Sequence, residues 1–145
     1  MSSFVVGAMS TGVLVLGTTL LLGADWGDPI GVLILATAGI LAALGIVFLV
    51  ATLVRTADQA QSLASILAVT LGLLGGVFFP ITFGPDLIDK ASYLTPHRWL
   101  FEGFSDLNAG ESFSAVVPEA GAVLLFAVVL GGIGLLRTRS LVRLG

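Results

Sequence analysis

Cysteine is absent from this chain, histidine occurs once, and charge is scarce: 10% of its 145 residues are Asp, Glu, Lys or Arg. Without cysteine there is no disulfide framework, no thiolate metal site and no thiol nucleophile. The lone His97 excludes a multi-histidine metal centre within one chain. The only lysine, Lys90, follows Asp89 rather than the glycine of a phosphate-cradling loop, and no Gly-x-Ser-x-Gly elbow occurs. No cofactor is therefore expected to bind directly. With 57% hydrophobic residues, the composition leaves little for a water-soluble domain.

What charge there is lies in short clusters, and the gaps between them are long. Phe4–Ala24, Pro29–Val54, Gln59–Pro85 and Ala120–Leu136 carry no charged residue. A bilayer's hydrocarbon core is about 30 Å thick and takes roughly 20 helical residues to cross. The expectation is an all-α membrane protein, with residues 1–145 forming a single integral membrane domain. Its spans are expected near 4–23, 29–54, 59–79 and 117–136. A secretory signal is not expected, because Met-Ser-Ser supplies no basic segment and the first apolar run exceeds a signal core.

The signs of the charges orient the spans. Arg55 lies between the second and third runs, and Arg137, Arg139 and Arg143 follow the fourth, with Asp58 as the only nearby acid. By the positive-inside rule these segments face the cytoplasm, as do both termini. Asp25, Asp28, Asp86, Asp89, Glu102, Asp106, Glu111 and Glu119 then lie outside, with Lys90 and Arg98. The net charge of -3 comes mostly from these outer loops and gives no sign of nucleic-acid binding.

Local signals fill in the elements. Pro29 suits the first turn of the second helix, and Trp26 before it fits an aromatic belt. Gly31, Gly39 and Gly45 offer close approach to another helix. Asp58 is expected to cap the third helix, with Gln61 reaching back. Along that helix Gln61, Ser65, Ala68, Gly72 and Gly75 form a small, polar stripe, suited to a helix interface and compatible with a path or dimer seam. Leu63, Ile66, Leu67 and Leu74 point elsewhere.

Pro80 and Pro85 bracket an extended piece. A hairpin of two short outer helices, interfacial or re-entrant, is expected over 86–110: Asp86 starts the first, and Thr95 with Pro96 starts the second. The second carries Leu100, Phe104 and Leu107 on one face beside Trp99, and stops at Gly110. Its charges, at roughly 2.5 to 3.5 kcal/mol each at a membrane centre, prevent it from crossing. Asp86, Asp89 and Glu102 read as solvated faces, and His97 as an interfacial residue.

Gly75-Gly76-Val77-Phe78-Phe79-Pro80, Gly84-Pro85 and Leu94-Thr95-Pro96-His97-Arg98-Trp99 together resemble the late segment of ATP-binding-cassette type-2 permeases, the membrane subunits of ABC exporters. The likeness is specific from about Asp58 to Arg143; the first two spans agree in order and orientation. Family members usually have six spans, and these four resemble the last four, which implies a truncated or split permease or a missing half supplied elsewhere.

The resemblance implies a multi-pass plasma-membrane exporter subunit and no enzyme: a separate ABC ATPase uses the ATP, and a second permease subunit, identical or different, completes the path. It implies a path or dimer seam at Gln61, Ser65, Gly72 and Gly75, an outer gate at Pro80, Pro85, Pro96 and Trp99, and an ATPase-facing loop at Arg55 and Asp58. Two other readings stay open: an accessory membrane subunit without its own path, and an intramembrane enzyme using His97 with a neighbouring acid.

Overall fold

In the computed structural model, which describes residues 2–77 and 86–143, the chain forms six helices and, among the described residues, no strand. They are α1 (Ser2–Leu22), α2 (Pro29–Leu53), α3 (Ala57–Leu74), α4 (Asp86–Ser92), α5 (Pro96–Asn108) and α6 (Val117–Arg143). α1, α2, α3 and the Val117–Arg139 part of α6 are long and apolar enough to cross a membrane. The expected order of four spans with a helical pair before the last is found. α6 runs beyond the expected Leu136, and Pro80 and Pro85 lie outside the described residues.

The expected Thr95 start is found, α2 has a cap that the sequence reading did not name, and the α3 cap is displaced. Asp28 caps α2, its Oδ1 accepting from Ile30 N–H at 2.8 Å, with Pro29 in the first turn. Thr95 caps α5, with Pro96 in the first turn, and Gly110 takes a φ of 91° just past its end. α3 starts earlier than Asp58. Thr56 is the cap, in an extended conformation, with its Oγ1 accepting from Gln59 N–H at 3.2 Å, while Gln59 Oε1 accepts from Arg55 N–H at 3.2 Å. Thr-x-x-Gln has capping-box spacing, so the reaching residue is Gln59 rather than Gln61. Asp58 sits instead in the first turn, where its charge suits the helix dipole.

α2 and α6 form the trunk. They run parallel, because successive contacts climb both helices together: Gly45 lies against Ala127 and Gly131, Gly134 against Phe48 and Leu49, and Arg137 Nε donates to Thr52 O at 3.2 Å. Glycine makes the approach possible. A Cβ on Gly45 would stand 3.0 Å from the Ala127 carbonyl oxygen, and one on Gly134 3.3 Å from Leu49 Cα. Leu35, Ala38, Ala42, Ala120 and Val123 fill the seam with Leu107 and Val116. In lipid there is little hydrophobic drive between helices, so this close packing is what holds them. Gly45→Leu should therefore force the trunk apart and lower its stability by about 3 kcal/mol, read as the unfolding midpoint of the purified protein in micelles. Stability equal to wild type would place the trunk elsewhere.

α1 and α3 are peripheral. Among the described residues α1 buries none, and α3 buries only Gly72 within its length. α5 is not peripheral. Leu107 packs on Gly27 and Gly31, Gly103 on Leu35, and Leu100 on Gly39, so α5 lies along the first half of α2 and runs opposite to it. Leu100, one turn into α5, thus stands at the level of Gly39, about 15 Å along α2 from Pro29 at 1.5 Å per residue. Of the two expected dispositions, this packing along α2 is the one that a re-entrant helix makes. Gly31, Gly39 and Gly45 all serve as expected, the first two against α5 and the third against α6.

Candidate functional site

The α4–α5 pair carries the densest polar network among the described residues. Ser92 and Thr95 make the turn between α4 and α5: Ser92 Oγ donates to Asp89 O at 2.6 Å, and Thr95 Oγ1 donates to Ser92 O at 2.8 Å. Both side chains are buried. Arg98, one helical step on, ties the two helices. Its Nη2 lies 2.8 Å from Glu102 Oε1 and 3.6 Å from Asp89 Oδ1, and donates to Tyr93 Oη at 3.3 Å. Tyr93 Oη in turn donates to Glu102 at 3.0 Å, and its ring lies under the guanidinium, 5.0 Å away. Trp99 stacks edge-on to Tyr93 and donates its Nε1 proton to Tyr93 O.

Asp89 and Glu102 are therefore partners of Arg98 rather than simply solvated faces. The side chains of Arg98 and Glu102 are only 14% and 28% exposed. The physical reason is burial: carboxylates and a guanidinium carried against the trunk need partners, and the hairpin brings them together. The signal available in the sequence was the Arg98–Glu102 spacing of four, which places both on one helix face. Tyr93 and Asp89 could join only through the turn at Ser92–Thr95.

A second set of contacts seats the pair on the trunk. Asp28 Oδ2 accepts from Phe113 N–H at 2.9 Å, linking the start of α2 to the segment before α6. Trp26 packs edge-on to Phe104, and its Nε1 donates to Thr18 Oγ1 at 3.0 Å. The Phe113 amide, followed by the Ile30 amide, holds the Asp28 carboxyl below its usual pKa. A carboxyl depressed in the folded state stabilises above its unfolded pKa of about 3.8, and that contribution fades as pH falls through the lower folded value. Asp28→Asn keeps an oxygen for the cap but offers no acceptor to Phe113. It should loosen the 109–116 segment at neutral pH and flatten the acid limb of the pH–stability curve, seen as faster amide exchange at Phe113. Unchanged exchange there would show that the link is idle.

The residues expected to form a path or seam do not share one environment. Gln61 and Ser65 are exposed, whereas Gly72 and Gly75 are buried. Gly75 ends α3 against His97 and Thr95; a Cβ there would overlap His97 Cβ and stand 2.9 Å from Thr95 Oγ1. Gly75 is thus committed to α5, while Gln61, Ser65 and Ala68 present an open face. Pro96 and Trp99 belong to the re-entrant pair, whereas Pro80 and Pro85 lie outside the described residues. Arg55 and Asp58 are exposed beside the Thr56 cap. His97 Nδ1 is buried and, among the described residues, has no hydrogen-bond partner.

The sequence pattern that defines the ABC-2 family transporter proteins matches residues 1–136. The chain belongs to that family. It is also similar to the linearmycin resistance permease protein LnrN of Bacillus subtilis (strain 168), with 28% identity over 141 residues, which cover 97% of this chain and 37% of that permease. The chain thus spans well under half the length of that relative. No solved structure matches it.

Proposed function

We propose that this chain works as the four-span portion of the membrane permease of an ABC exporter, with ATP hydrolysed by a separate ATPase and a second permease half completing the path. The observation that carries this reading is the family match over a chain with four candidate spans and a re-entrant pair before the last. The end bearing α4 and α5 faces outside and the Arg55 end faces the cytoplasm, because arginines and acids segregate between the two. Gln61 and Ser65 on the open face of α3 meet the second half, with Gly72 and Gly75 above them setting how close α3 comes to α5. Pro96 and Trp99 belong to the outer gate, with Pro80 and Pro85 in the connection before it. The Arg55–Asp58 loop receives the ATPase. Resistance, the role in the name of the Bacillus relative, fits export of a toxic compound.

Two measurements test this. An ABC ATPase with a Gly-x-x-x-x-Gly-Lys-Ser/Thr loop should be encoded beside this chain and co-purify with it, and Arg55→Glu should weaken the association without changing expression. ATP turnover by the homogeneous chain alone, or stable pairing with an unrelated complex and no ATPase, would sink the reading. Orientation is read separately. The cysteine-free chain allows single labels at the exposed Ala57 and Asn108; Ala57→Cys should react only from the cytoplasm and Asn108→Cys only from outside.

A further inference from the structure

α1 packs against α2 and the turn before it, Val15 reaching the core, and along one side of that contact the two leave a groove. At the Arg55 end, a Cβ on Gly7 would lie 3.1 Å from Ile40 Cγ2; at the other, Trp26 Nε1 donates to Thr18 Oγ1 at 3.0 Å. The eleven helical steps from Gly7 to Thr18 rise about 16 Å. Between the two contacts lies a slot of about 610 Å³, open along one side. That volume is within the range of small-molecule sites. Its walls are mostly apolar, with Gly12 and Ala36 leaving the room.

The slot is not only apolar. Thr11, Thr19 and Thr37 line it, and Asp25 stands at its outer end beside Trp26. Thr18, next in the chain to Thr19, is tied back to Leu14 O at 2.7 Å; the hydroxyls of Thr11, Thr19 and Thr37 make no such bond among the described residues. Asp25 spends one oxygen on Gly27 N–H and is exposed. No ion pair engages it among the described residues, and both Arg98 carboxylate partners lie elsewhere.

We infer that this slot is a binding site for a cationic amphiphile, with its tail between α1 and α2 and its head at Asp25. An apolar tail gains little by leaving lipid for a protein groove, since lipid chains are as apolar as leucine. Selection must come from the head, and here the head meets a carboxylate, an indole and hydroxyls. Charge complementarity favours a cation over an anion, and the open side lets the molecule enter sideways from the bilayer. As an exported substrate the amphiphile rests on the permease reading; as a ligand it does not.

The test uses the full chain in nanodiscs, without ATP or ATPase, so that failure of binding leaves the permease reading standing. The probes are dodecylamine, dodecanoic acid and dodecanol, each carrying a diazirine at the end of its chain. After photolysis, dodecylamine should label the Phe4–Thr11 and Ile40 region about tenfold more than the acid does. Gly12→Leu should remove that labelling, because nothing lies within 4 Å of a Cβ at Gly12 and the side chain enters the slot. Gly17→Leu, equally unobstructed but outside the slot, controls for folding and should change nothing. Asp25→Asn, which keeps an acceptor for Gly27, should bring the amine down to the level of the alcohol. Equal labelling of the exposed Leu125 and Val128 on α6, equal labelling by all three probes, or indifference to Gly12→Leu would each overturn the site. So would crosslinks showing a second protein helix seated in the slot.

Discussion

Gly27→Ala is expected to unseat α5 from α2 and to cost about 3 kcal/mol or more of stability. Gly27 has a φ of 76°, where a side chain is strained, and a Cβ there would overlap the carbonyl of Leu107. Strain alone is worth about 1–2 kcal/mol. The rest comes from the overlap, because a backbone carbonyl in the middle of a packed seam cannot swing aside as a side-chain tip can. Leu107 is 1% exposed and belongs to the same core as Leu35 and Val123, so displacing it disturbs the trunk. Gly23→Ala is the matched comparison: its φ is 66° and nothing lies within 4 Å of the added carbon. Unfolding midpoints of the two variants in micelles should differ by about 2 kcal/mol. Equal midpoints would mean that strain is the whole effect and that Gly27 does not seat α5.

The second large effect is expected at Arg98. Arg98→Met keeps most of the volume but leaves Glu102 without its cation and frees the Tyr93 hydroxyl from one partner. Breaking a well-buried pair typically costs 3–5 kcal/mol, and the partial exposure of Glu102 reduces this to about 2–3 kcal/mol here. Asp89, whose side chain is 46% exposed, is screened by water and adds little. The penalty comes from an uncompensated carboxylate, so Arg98→Met combined with Glu102→Leu should recover most of the loss. Protease accessibility of the 86–110 pair should follow the same order: open in the single variant, protected in the double. A double variant as labile as the single one would show that Arg98 acts through packing on Tyr93 instead.

The two variants bear on different parts of one proposal. Gly27 fixes where the re-entrant pair sits, and Arg98 fixes that α4 and α5 behave as one piece. A gate built from that pair would have to move as a unit, with Gly75 against His97 as its contact to α3.

The amino-acid sequence by itself determined the all-helical membrane class, the four helices long and apolar enough to cross a bilayer, and the helical pair before the last of them. These depend on runs of apolar residues measured against a fixed bilayer thickness, and on caps that act within four residues, as at Thr95 and Pro96. The α3 cap shows the limit of local reading. Thr56 and Asp58 are both competent caps two residues apart, and the choice fell to the one whose third residue on, Gln59, reaches back to the Arg55 amide. Only the tertiary structure decided that α2 pairs with α6, that α5 descends along α2, and that Asp89, Tyr93 and Glu102 converge on Arg98. It also divided the glycine stripe of α3, burying Gly72 and Gly75 while leaving Gln61 and Ser65 open. In a bilayer every apolar helix is equally content with lipid, so composition does not choose its neighbours. Close approach of particular backbones chooses them, and it depends on glycines far apart in the chain, such as Gly45 beside Gly131 and Gly27 beneath Leu107.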